Sequence, residues 1–240
     1  MRLKRDKSEK NIYTSKDEFR NISRAKLQKI AKTKRLKNSK MVVEKLSKLF
    51  LKFKPKNVLL YFPLLLEVDI LPLVKKLRKD INIFVPFMEG TSFKLVKYRL
   101  PVSKKQFNIM EPENSFQRLP KIDVAVVPVI GVDGMMKRVG FGRGMYDRFF
   151  DSLSPKPLIV FVQLTKCFTS QKLCEPFDIQ GDFYITPNEI IQRGLYGSRD
   201  SNRHNSCRTY RDFRVFSCKK IRFSKSRNIY NTSKGKSKSD

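Results

Sequence analysis

Residues 137–148 read Lys-Arg-Val-Gly-Phe-Gly-Arg-Gly-Met-Tyr-Asp-Arg. Glycines at alternate positions, Gly140, Gly142 and Gly144, remove Cβ atoms and let successive backbone N–H groups converge on an anion. Lys137, Arg138 and Arg143 interleave cations with them. Asp147 follows at the expected start of a helix, where a carboxylate is placed to hold Mg2+ beside phosphates. Glycine-rich backbone, cations and a carboxylate together point to a nucleoside triphosphate. The run is not a Walker A loop, because G-x-x-x-x-G-K-[ST] is absent, and its glycine spacing is not the dinucleotide fingerprint. Taken as glycines alone, it also reads as a plain flexible loop between a strand and a helix.

The elements that position this run follow from periodicity. Ser15-Lys16-Asp17-Glu18 matches the S-x-x-E capping box, so a helix is expected to begin at Lys16. Phe19, Ile22 and Ile30 carry it to about residue 32. A polar break, Thr33 to Ser39, separates it from a second helix with Val42, Leu46, Leu49 and Phe53 on one face. Pro55 ends that helix. Val58 to Phe62, Ile81 to Pro86, Val124 to Ile130, Leu158 to Val162 and Phe183 to Thr186 read as buried strands, and Phe93 to Tyr98 as an edge strand. Ile70, Leu73, Val74 and Leu77 mark a further helix, and Tyr146 to Leu153 another. Residues 101–122 read as loop. Near-continuous apolar strands alternating with helices argue an α/β fold: a mostly parallel sheet with helices on both faces. The glycine run then lies beyond the carboxyl end of the most apolar strand, where such sheets bind ligands.

Composition sets the outer bounds. The chain has 240 residues, 40% of them hydrophobic, with 19 Phe and 8 Tyr, so a sizeable core is expected and a wholly disordered chain is excluded. No apolar run reaches about 18 residues, so no membrane span is expected. The basic N-terminus lacks the apolar stretch of a secretory signal. Four Cys without a CxxC and the single His204 argue against a zinc site. A reducing cytoplasm is the expected compartment. The net charge of +30 is concentrated at the two ends. Residues 1–14 are expected to be a flexible basic N-terminus, 15–193 the α/β domain, and 194–240 a disordered basic C-terminal tail. Charge of this kind suits nucleic acid, lipid or a polyanionic small molecule.

Around the glycine run, VPVIGVDGMMKRVGFGRGMYDRFF resembles the signature of the 5-formyltetrahydrofolate cyclo-ligase family, roughly P-x-x-x-F-D-x-x-G-x-R-L-G-x-G-x-G-Y-Y-D-x-x-L. Pro128, Asp133, Arg138, Gly140, Gly142, Gly144, Tyr146 and Asp147 match it. Lys16 and Arg20 match the Lys and Arg four apart on the family's first helix. YFPLLLEVD, with Tyr61, Phe62, Glu67 and Asp69, resembles its folate-contacting turn. INIFVPFMEGTSFKLVKY, NIMEP and EPFDIQGDFYITP resemble later segments in the right order, over roughly residues 15–191. Three positions depart from the pattern. Phe177 replaces a His, Met136 stands where Gly is usual, with Gly134 as the expected substitute at that turn, and Met145 replaces the first Tyr of Y-Y-D.

The resemblance implies ATP- and Mg2+-dependent closure of 5-formyltetrahydrofolate to 5,10-methenyltetrahydrofolate through a phosphorylated formyl group. It implies ATP contacts from Lys16, Arg20, Arg138, Gly140, Gly142, Arg143, Gly144 and Tyr146. Folate contacts fall to Phe62, Glu67, Arg143, Gly144, Met145 and Tyr146. Metal contacts fall to Asp147 and Asp178, and catalytic roles to Arg143, Lys16 and Arg138. Plainer readings stand beside these. Lys16 and Arg20 suit a solvated helix face, Glu67 and Asp69 suit first-turn helix charges, Tyr61 and Phe62 suit core positions, and Asp178 suits a turn. A monomer is expected, with a weak, non-specific contact of the tail with nucleic acid as a side property. The rival functions are a nucleic-acid-binding protein, another ATP-dependent enzyme on a similar scaffold, and a catalytically degenerate member of the family.

Overall fold

A computed structural model describes residues 12–90, 92–99, 102–104, 110–112, 120–193 and 213–217. The first element is one helix, α1 (Lys16–Phe53), of 38 residues. Ser15 caps it as expected: its side chain accepts from the Glu18 backbone N–H. Glu18 reaches back to Thr14, whose N–H and hydroxyl both donate to it, rather than to the Ser15 amide. The expected break at Thr33–Ser39 does not occur. That stretch holds no Gly or Pro, and its Lys, Arg and Leu propagate a helix well. Its polar side chains also find partners outside the helix. Arg35 donates to the Leu64 and Glu67 carbonyls, Asn38 to the Leu164 carbonyl, and the buried Ser39 hydroxyl accepts from the Asp69 amide. Helix-to-core contacts, which a single-segment pattern does not reveal, therefore carry the helix through its polar centre.

The chain continues through β1 (Asn57–Leu59), α2 (Leu71–Leu77), β2 (Asn82–Glu89) and β3 (Ser92–Lys97). A small hairpin, β4 (Val102–Lys104) with β5 (Met110–Pro112), lies in the segment expected to be loop. Then come β6 (Val124–Pro128), a ribbon of β7 (Gly131–Val132) and β8 (Arg138–Val139), α3 (Met145–Ser152), β9 (Leu158–Val162), β10 (Phe183–Ile185), β11 (Glu189–Arg193) and β12 (Phe213–Ser217). β11 was not apparent in the sequence. β12 is the described part of the tail, and it pairs antiparallel with β11.

The main sheet runs β12-β11-β10-β9-β6-β1-β2-β3. Strands β2, β1, β6, β9 and β10 are mutually parallel, and β3, β11 and β12 join antiparallel at the two edges. Alternation along the strands sorts the core into two layers. Val58, Ile83, Val124, Val126, Val160 and Val162 face α1 and α2, packing on Leu27, Val42, Leu46, Leu49 and Leu73. Leu59, Phe84, Ala125, Val127, Ile159 and Phe161 face the other way, onto Phe149 and Phe150 of α3. Burying each large aliphatic side chain contributes about 1.5–3 kcal/mol. The chain leaves β1 toward β2 on one side and β6 toward β9 on the other, so the order reverses between β1 and β6. The segments after these two strands, 60–70 and 129–144, meet at that switch point, where open α/β sheets bind ligands. No helix among the described residues is long and apolar enough to cross a membrane.

Candidate active site

The segment after β6 is held rigid by a buried acid. Asp133 is fully buried, and its carboxylate accepts from the backbone amides of Met135, Lys137, Leu173 and Cys174. The turn it organises needs one left-handed residue, and Met136 supplies it, with φ +57. Gly134 does not make this turn. It is required for a different reason: a Cβ there would lie 2.2 Å from the Ser170 carbonyl oxygen. Met136 accepts the strained backbone while its side chain is completely buried.

Arg138 emerges from this ribbon into the crevice. Its side chain is buried, and Nε donates to the Pro128 carbonyl at 3.1 Å. Its Nη1 stands 3.7 Å from Asp147 Oδ2, and its guanidinium carbon lies 4.8 Å from the centre of the Tyr146 ring. Gly140 leaves room for the guanidinium beside it, because a Cβ there would sit 2.3 Å from Arg138 Nη1. Gly142 and Gly144 take φ +104 and +62, and Gly144 begins α3. No side chain caps that helix, so its first-turn amides are left for an anion.

Two cavities adjoin along Arg138 and Gly144, which line both. The first, of about 310 Å3, is charged. Lys16, Arg20, Arg138 and Arg148 border it together with Gly140, Gly142, Asp147 and Asp178. The N-terminal end of α1 is tied to this wall. Lys16 Nζ lies 2.5 Å from Asp178 Oδ2, and Arg20 Nε donates to the Gly140 carbonyl at 2.9 Å. Asp178 also accepts from the Glu175 amide, so it serves both the turn and the cavity.

The second cavity, of about 370 Å3, is mostly apolar. Tyr61, Phe62, Met88, Phe93, Met145 and Tyr146 wall it, and Glu67, Arg24 and Arg143 supply charge. Tyr61 is fixed by a bond from its hydroxyl to the Val68 carbonyl. Tyr146 meets Phe93 edge to face at 5.0 Å. Glu67 is buried, and its carboxylate accepts from the Leu64 amide at 2.9 Å. Burial raises its pKa to about 7, against the lowering influence of that amide, Arg138 and Arg35. Burial likewise pushes the Tyr146 and Tyr61 phenols well up, so both stay protonated.

The structure brings the candidate ATP, folate and metal residues to the two cavities, with Lys137 and Asp69 lining neither. Lys16, Arg20, Gly140, Gly142, Asp147 and Asp178 border the charged cavity alone. Phe62, Glu67, Arg143, Met145 and Tyr146 border the apolar one alone, so Arg143 and Tyr146 are placed beside the second cavity rather than the first. Asp69 takes the plainer reading, its carboxylate accepting from the Leu71 amide at the start of α2. Arg24, Phe141, Arg148 and Asp151 were missed. Arg24 lies four residues beyond Arg20, as Arg20 does beyond Lys16, and that repeat was the available signal. Its guanidinium sits 5.9 Å from the Phe141 ring centre.

Magnesium that is shared with phosphates needs only one or two protein carboxylates. Asp147 and Asp178 on the charged cavity meet that requirement. No group of three or more His, Cys, Asp or Glu gathers as a cage among the described residues. The donor set therefore suits a nucleotide-borne Mg2+.

The model of the 5-formyltetrahydrofolate cyclo-ligase family matches residues 12–173, which include every residue lining the apolar cavity and all those of the charged one except Phe177 and Asp178. The chain belongs to that family. A cyclo-ligase of Haemophilus influenzae is 29% identical over 113 residues, covering 43% of this chain and 60% of that enzyme. The chain thus aligns with less than two thirds of the Haemophilus relative's length. A cyclo-ligase of Mycoplasma pneumoniae is 26% identical over 57% of this chain and 77% of its own. Among solved structures, a 5,10-methenyltetrahydrofolate synthetase of Aquifex aeolicus superposes with a TM-score of 0.66 at 28% identity, covering 79% of this chain and 97% of that one. The chain thereby shares the cyclo-ligase fold.

Proposed function

We propose that the protein cyclises 5-formyltetrahydrofolate to 5,10-methenyltetrahydrofolate, consuming ATP. The observation that carries this reading is the pair of adjoining cavities, one cationic and glycine-lined, one aromatic and closed by a buried carboxylate, with Arg138 shared between them. A triphosphate fits the first and a pterin the second. The shared wall is where a terminal phosphoryl group and a formyl oxygen can meet.

The formyl oxygen attacks the γ-phosphorus and ADP departs. The neighbouring amine nitrogen of the folate then attacks the activated formyl carbon and gives up its proton to solvent, and inorganic phosphate leaves with the oxygen. Such a transfer asks the protein for in-line placement and charge neutralisation rather than a covalent partner. Lys16, Arg20 and the uncapped amides of α3 hold the phosphates. Arg138 bridges the reacting groups, and Arg143 faces the developing charge from the folate side. Glu67 accepts from the pterin N–H groups, and Phe62, Met145 and Tyr146 enclose the ring. Asp147 and Asp178 would hold Mg2+, which neutralises phosphate charge when bound.

The test is direct. Purified protein given Mg-ATP and 5-formyltetrahydrofolate should develop the near-ultraviolet absorbance of the methenyl product, and not without ATP. A folded protein that yields no such absorbance at saturating ligands would overturn the reading.

A further inference from the structure

The charged cavity is built for phosphates, and a triphosphate also carries a base. One of its lining residues offers an apolar surface of the right kind. Phe177 is 70% exposed, an unusual state for a ring of that size, and it stands on the rim beside Lys16, Arg20 and Arg148. Single exposed hydrophobics are common and need no explanation. Phe177 differs because its backbone is tied down. The Asp178 amide donates to the Glu175 carbonyl at 3.1 Å, and the Glu175 amide donates to the Asp178 carboxylate at 2.7 Å. Lys16 of α1 clamps that same carboxylate, and Lys137 Nζ donates to the Glu175 carbonyl at 2.5 Å. The ring is thus presented on a locked turn, next to the phosphate cradle, with most of its surface open.

We infer that Phe177 is the platform on which the nucleotide base stacks, and so a positioning residue for the nucleotide. This rests on the reading of the charged cavity as the triphosphate site. Stacking on an aromatic face tolerates any base, because every base presents a π surface and the ring reads no hydrogen-bonding edge. The site is therefore expected to take purine triphosphates with little preference between adenine and guanine, insofar as Phe177 sets the choice.

The chain has no Trp, so Phe177→Trp installs a single reporter. Its fluorescence should be quenched by ATP and by GTP, and unchanged by inorganic tripolyphosphate, which carries the charge without the base. Phe177→Ala should weaken ATP binding by about ten-fold, a loss typical of one base–aromatic stack, and leave tripolyphosphate binding as it was. Phe177→Tyr should restore ATP affinity. If Phe177→Ala binds ATP as tightly as the parent while Arg20→Ala weakens both ligands, the platform is refuted and the phosphate site survives. If neither ATP nor tripolyphosphate binds the parent protein, the cavity reading and the platform fall together.

Discussion

The guanidinium of Arg138 lies 4.8 Å from the centre of the Tyr146 ring, and the same group stands 3.7 Å from Asp147 on the opposite cavity. One side chain thus faces an aromatic wall and a carboxylate at once. Lysine cannot reproduce this, because it lacks the planar fork that lets Nε hold Pro128 while Nη1 meets Asp147. Arg138→Lys is expected to lower kcat/KM by about 100-fold, the scale of losing one preorganised donor, and to raise KM for ATP and folate together. Arg24→Ala, on the apolar cavity alone, should raise KM for the folate and leave that for ATP in place. Steady-state kinetics with each substrate varied would check the contrast.

Glu67 gives the pH dependence. Its folded pKa of about 7 exceeds the ordinary 4.5. Between those values the unfolded chain has released a proton that the folded chain retains. Stability therefore falls as pH rises through this window and levels off above it. Glu67→Gln should remove the slope and be more stable than the parent at pH 8, by at most about 3 kcal/mol. Denaturant titrations at pH 4.5 and pH 8 would measure it. The same variant should bind folate more weakly at pH 8, where the parent carboxylate is charged and, on the proposed function, would accept from the pterin.

Gly140→Ala tests close approach. The new Cβ would meet the Arg138 guanidinium at 2.3 Å. The far end of an arginine can swing away, so the fold should persist while the guanidinium leaves its place. Expected are a melting temperature close to the parent's and a fall in turnover of about 100-fold. Gly90→Ala is the contrast: it has a left-handed φ of +59, which Gly140 does not, nothing near its Cβ, and no place beside either cavity. It should lose about 1–2 kcal/mol of stability and keep full turnover.

Met136→Gly weighs two opposed terms. Glycine relieves a left-handed φ worth about 1–2 kcal/mol. It also deletes a fully buried side chain, and truncating Met in a core costs about 2–5 kcal/mol. The second term is larger, so the variant is expected to be less stable by about 1–3 kcal/mol, as read from urea unfolding. Greater stability in the variant would show that the backbone strain dominates.

The parallel sheet was legible because its strands are apolar on both faces, and the glycine run because its residue types are unusual together. Ser15 was legible for the same reason, since an S-x-x-E pattern ahead of an apolar stripe has few other uses. The continuity of α1 was not, because Arg35, Asn38 and Ser39 find their partners 29 or more residues away along the chain. β11 escaped notice because a short antiparallel strand carries little pattern of its own. The placement of Arg143 and Lys16 on different cavities was hidden too: it depends on which side of Arg138 each falls, and only the folded chain has sides. Met136 shows the reverse limit. A residue type argued against the left-handed turn, and burial of its side chain outweighed that preference.

The uninterrupted α1 has a consequence for how the two cavities are aligned. Near one end it grips the turn of Asp178 and the carbonyl of Gly140; some fifteen residues further on, Arg35 holds the carbonyls of Leu64 and Glu67. The helix therefore works as a ruler laid across both compartments, fixing the gap between them in units of its own rise. A kink introduced midway, between residues 24 and 34, would leave each compartment intact yet set them out of register, and the chemistry would fail for want of alignment rather than of grip.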